Sequence, residues 1–104
     1  MVGRAKRFYM QMDDLAVRVD DAIAGIEGGN KSAILRLAML DRRVKERNDQ
    51  WTLSTGESWE GANLVDSAVS AALVAARNGD VAGVVKQRDE LLAARRQLAK
   101  DATK

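Results

Sequence analysis

The sequence predicts a mainly α protein: one short N-terminal strand and two helices, followed by a C-terminal αα-hairpin. Three observations carry this. Proline is absent from the 104 residues, while Ala, Leu, Val, Arg, Lys, Glu and Gln are plentiful, a composition that favours helix. Apolar residues recur at steps of three and four along most of the chain, the period of a helix with one buried face. Residues 8–12 instead alternate, with Phe8, Met10 and Met12 on one side and Arg7, Tyr9 and Gln11 on the other, the period of a strand.

Each helix has its own boundaries in the sequence. Asp13 reads as the N-cap of the first, whose apolar run is Leu15, Val19, Ala22, Ile23 and Ile26. Gly28 and Gly29 stop it by supplying a left-handed backbone. Asn30 caps the second, which carries Ile34, Leu35, Leu37, Ala38, Leu40 and Val44 and runs to about Asp49. Residues 51–57 read as a loop. The third helix runs from near Ser58 to about Arg77 and is rich in Ala, which permits close helix approach. Asn78-Gly79 closes the hairpin, and Asp80 caps a fourth helix with Val81, Val84, Val85, Leu91, Leu92 and Leu98 on one stripe. The expected division is a module over residues 1–50 and a helical hairpin over 51–104. One alternative stays open: Phe8, Met12, Leu15, Val19, Ala22 and Ile26 also fit a single amphipathic helix over residues 4–27, which makes the whole chain a plain helical bundle.

Composition narrows the function. The chain has no Cys and no His, so disulfides, thiolate chemistry and the commonest general base and transition-metal ligand are gone. The expectation is a protein that is not an enzyme and uses no cofactor or metal. The adjacent pairs Asp13/Asp14 and Asp20/Asp21 diverge on a helix and read as a solvated acidic face rather than a cation site. No apolar run reaches the roughly 20 residues that span a membrane, which gives an expected cytoplasmic location without a membrane partner. The net charge of +2 conceals a pattern. Basic residues dominate residues 1–12 and 31–47, and acidic residues dominate 13–27. A folded face that is locally positive follows, of a kind that attracts phosphate.

The segment Asn30-Lys31-Ser32-Ala33-Ile34-Leu35-Arg36-Leu37-Ala38, placed after an alternating segment, an acidic helix start and a Gly turn, resembles the ribbon-helix-helix DNA-binding family. The resemblance covers about a third of the chain. It implies two chains pairing their strands into a ribbon that enters the major groove. By that resemblance Arg7, Tyr9 and Gln11 read base edges. Arg4, Lys6, Asn30, Lys31 and Ser32 hold the phosphate backbone, with the N-terminus of the second helix favouring an anion.

Two functions are therefore expected. The first is a sequence-specific DNA-binding regulator of the repressor kind. Its partners are double-stranded DNA, a second copy or higher homo-oligomer, and a protein at the C-terminal hairpin. The alternative is a non-enzymatic all-helical bundle that serves protein–protein interaction or assembly without DNA. Trp59-Glu60-Gly61 matches the W-x-G tripeptide of small secreted helical-hairpin proteins, but Gly28-Gly29 interrupts the long first helix such proteins need. Trp59 then covers the core at a helix start.

Overall fold

The computed structural model describes residues 3–104, and they form four helices: α1 (Arg4–Glu27), α2 (Ser32–Thr55), α3 (Glu60–Arg77) and α4 (Val81–Ala102). The helices run up, down, up, down. α1 lies between α2 and α4, α3 closes the ring on the far side, and α1 and α3 meet more lightly across the diagonal. The body measures 41 × 21 × 21 Å. A helix of 24 residues spans about 36 Å at 1.5 Å per residue, so the long dimension is one helix length.

The expected N-terminal strand is overturned. Residues 8–12 lie inside α1, so the ribbon, the base-reading face built on it and the ribbon-helix-helix architecture fall with it. The burial pattern gives the reason. Phe8 and Met12 are completely buried, while Met10 between them is 53% exposed. On a strand all three share a side; on a helix Phe8 and Met12 are four residues apart on one face and Met10 points away. The buried series then continues through Ala16, Val19, Ile23 and Ile26. Met and Gln are both good helix formers, so nothing local opposes this. Asp13 consequently caps nothing. α1 starts at Gly3, whose carbonyl accepts from the Arg7 N–H at 3.0 Å, with no side-chain cap.

The remaining boundaries shift less. Gly29 takes φ 87° and ends α1 in the expected place. Asn30 acts near the start of α2, its Oδ1 accepting from the Ser32 N–H at 3.1 Å. α2 does not stop at Asp49: it continues to Thr55 and ends on Gly56 at φ 73°. The expected loop from residue 51 is thus mostly helix, because Trp51 falls on the same stripe as Leu37, Leu40, Val44 and Asn48 and is drawn into the core. The boundary expected at residue 50 falls within this helix. Asp80 caps α4 as expected, accepting from the Gly83 N–H at 2.9 Å.

One core runs through all four helices. Its largest fully buried side chains are Phe8, Met12, Ile23, Leu37, Leu98, Val19, Val44, Val65, Val69 and Val84. One end is closed by an aromatic cluster. Phe8 stacks on Trp51 with centroids 4.5 Å apart, and Trp59 meets both edge-on at 4.9 and 5.3 Å. Small residues bring α3 against α4: a Cβ on Gly61 would stand 2.4 Å from the Leu98 backbone nitrogen. The same glycine's N–H donates to Oδ2 of Asp101 at 2.7 Å. The α3 N-terminus is therefore capped by a carboxylate from α4 rather than by its own Trp59.

Candidate interaction surface

Charged side chains close two of the seams between helices. Along α1 and α4 the acids Asp13, Asp20 and Glu27 recur every seven residues and meet Arg95 and Arg88, also seven apart. Arg95 grips Asp13 through Nε at 2.7 Å and Nη2 at 3.2 Å. Arg88 reaches Asp20 at 3.0 Å and Glu27 at 3.1 Å. Between α2 and α3, Lys45 Nζ donates to Asp41, to Ser70 and to Asp66 at 2.8 Å, and Ser70 Oγ donates to Asp41 at 2.9 Å. Burial pulls the Lys45 ammonium down, but its hydrogen bonds to Asp41 and Asp66 and their charges outweigh this and raise its pKa. Lys45 stays protonated, unlike the depressed lysines that serve as nucleophiles or bases. Next to it Asn48 Nδ2 donates to Asn63 Oδ1 at 2.8 Å.

The α1/α2 seam is built otherwise. Over its middle it opens into a groove of about 480 Å³, walled by Asp14, Val17, Arg18 and Asp21 of α1 and by Arg36, Met39, Leu40 and Arg43 of α2. Asp14 bonds Arg18 on its own helix at 2.9 Å. Among the described residues Asp21, Arg36 and Arg43 join no ion pair, in contrast with the acids of the α1/α4 seam. The acids on α1 and the bases on α2 each stand seven residues apart; the α2 side of the groove carries the bases Arg36 and Arg43, and the α1 side carries Asp21 and the Asp14–Arg18 pair. Between the two sides lie apolar side chains that a folded chain ordinarily covers. Of the groove's lining, Met39 is 61% exposed and Val17 is partly open; Leu35 and Met10, one and two turns further along their helices, are exposed outside it.

The residues expected to touch DNA do not converge on this chain. Arg4, Arg7 and Gln11 gather at the aromatic end of the bundle, around a hollow of about 330 Å³ shared with Arg47 and Trp51. Arg47 lies 5.1 Å over the Phe8 ring and donates to Gln11, and Arg4 donates to Ser54. Tyr9 turns aside, packing partly buried against the core near Arg95. Lys6 is exposed on α1. Asn30, Lys31 and Ser32 sit at the α1–α2 turn, the opposite end of a 41 Å body. Sequence reasoning did not single out Val17, Met39 or Arg47, and it read Arg43, with Arg42, as a solvated pair that could add phosphate contacts. The seven-residue recurrence of Asp14/Asp21 and Arg36/Arg43 was visible, but it has no meaning until α1 and α2 are known to lie side by side. No helix among the described residues is long and apolar enough to cross a membrane. Comparison with protein-family models, with curated proteins and with solved structures finds no match to this chain.

Proposed function

We propose that this chain is a non-enzymatic interaction module, a helical bundle that docks a protein on its α1/α2 face. One observation carries the reading: among the described residues this seam sets the unpaired charges Asp21, Arg36 and Arg43, of both signs, beside the exposed Met39 and Val17 in one groove, whereas salt bridges across the α1/α4 and α2/α3 seams join Asp13, Asp20 and Glu27 to Arg95 and Arg88, and Lys45 to Asp66. A patch of this kind, apolar at the centre and charged at the rim, has the anatomy of a protein interface. The absence of His and Cys and the protonated state of Lys45 support a binding rather than a catalytic role.

Site-specific photo-crosslinking tests it. A photoreactive residue at Met39 is expected to give an adduct of defined mass whose yield falls at least tenfold when Val17→Glu is added. The same residue at Val74, exposed on α3, is expected to give none. Equal adducts from both positions, or none from Met39, defeat the reading, and adducts from Val74 alone move the docking surface to the hairpin.

A second reading rests on a separate observation. Arg4 and Arg7 stand in the first turn of α1, where no acid is present and the helix dipole disfavours cations. With Arg47 they form a basic cluster that suits a phosphate backbone. Such contacts bind duplex DNA with steep salt dependence and no sequence preference. In a shift assay at low salt, Arg7→Gln together with Arg47→Gln is expected to weaken binding to every duplex alike; unchanged binding rejects this reading.

A further inference from the structure

We infer that the occupant of the α1/α2 face is a second copy of this chain, related by a two-fold axis running parallel to the groove. This rests on the interaction reading and names the partner. The register of the two helices carries the argument. Phe8 stacks on Trp51 and Gln11 accepts from Arg47, so α1 and α2 are locked antiparallel. Further along, Asp14 and Arg43, then Val17 and Met39, then Asp21 and Arg36, line the one groove at successive heights.

A two-fold axis along the groove leaves height unchanged and exchanges left for right. It lays α1 of one copy on α2 of the other. Asp21 then meets Arg36 of the second copy, Asp14 with its Arg18 neighbour meets Arg43, and Val17 meets Met39. Each contact occurs twice, as an isologous interface requires. The other two-fold axis in the plane of the face, across the helices, stacks α1 on α1 and α2 on α2. The unpaired bases Arg36 and Arg43 of one α2 then face those of the other, an arrangement that like charges reject, while Asp21 meets the already paired Asp14 and Arg18. A standard interface takes roughly 800 Å² from each partner, and one broad face of a 41 × 21 × 21 Å body is of that order.

Two charge reversals test the geometry on the full chain. Wild type is expected to pass from monomer to dimer in sedimentation velocity as concentration rises from micromolar to millimolar. Asp21→Arg places Arg against Arg in both contacts, and Arg36→Asp places Asp against Asp. Each variant alone should dimerise at least tenfold more weakly. An equimolar mixture should recover the dimer as a heterodimer, since both contacts then pair opposite charges between different chains. Rescue in trans cannot come from a repaired contact within one chain. Met39→Glu should weaken the dimer without restoring it in any mixture. Helical circular dichroism at the lowest concentration confirms that each variant is folded, as expected for exposed positions.

A wild-type monomer at every concentration, or a mixture no stronger than its components, overturns the second-copy assignment. If Met39 still yields a crosslinked protein of another mass, the interaction reading stands with a different partner. If it yields none, both fail.

Discussion

Gly61 and Asp101 show how two residues far apart in sequence hold one helix end. Gly61 leaves room for the α4 backbone and points its N–H at the Asp101 carboxylate, which is 7% exposed. Removing a capping carboxylate costs about 1 kcal/mol. Asp101→Ala should therefore lower unfolding free energy by about 1–2 kcal/mol in urea melts. Gly61→Ala should cost more, about 1–3 kcal/mol, because its methyl meets main chain that cannot swing aside. Equal stability of Gly61→Ala and wild type would refute the close approach. Lys45 makes a pH-dependent contribution. Its folded pKa lies above its ordinary 10.5, so the folded state holds this proton more tightly than the unfolded state. That contribution is complete below about pH 10.5 and is lost as pH rises through the folded value. The stability gap between wild type and Lys45→Met should be flat near neutrality and narrow above pH 10.5. Solvent screens this half-exposed group, so the gap stays within about 1 kcal/mol. The Asp80 cap was legible because it serves the adjacent helix; the Asp101 cap was not, because it serves a helix that begins 41 residues earlier.

At the scale of an element, α1 decides between the two architectures the sequence allowed. Five alternating residues fit a strand as well as they fit a helix, and Asp13-Asp14 resembled a helix start. Residues 4–27 taken together fit only one of them, because the apolar steps of four and three from Phe8 to Ile26 stay in phase. A similar in-phase position pulled Trp51 into α2 against the expected loop. What could not be read was which side of α1 meets α2 and which meets α4. That choice consumes Asp13 and Asp20 against α4 and leaves Asp21 on the α1/α2 groove. Phe8→Ala should cost about 3–5 kcal/mol, the range for truncating a buried aromatic residue. Met10→Ala, two residues along, should change monomer stability by less than about 0.5 kcal/mol, as at most exposed sites. Comparable losses at both positions would restore a strand-like alternation.

At the scale of the molecule, the four helices share one core, so neither half carries a complete one. Val65, Val69, Val84 and Leu98 from the second half pack with Phe8, Met12, Ile23 and Leu37 from the first. A chain ending at residue 53 keeps α1 and most of α2 but loses the cover of both. It should show little cooperative melting in circular dichroism; a sharp transition would mean that residues 1–53 fold alone. The α1/α2 face is one part of the surface where apolar side chains stay outside this shared core, and the methionines report on it most directly. Met10 and Met39 are more than half exposed and flank the face, while Met12 is buried and serves as an internal control. In methyl spectra of chain labelled at methionine, raising the concentration from micromolar to millimolar should shift or broaden the Met39 signal strongly and the Met10 signal less, leaving Met12 in place. Unchanged Met39 and Met10 signals across that range would contradict docking of a second copy on this face.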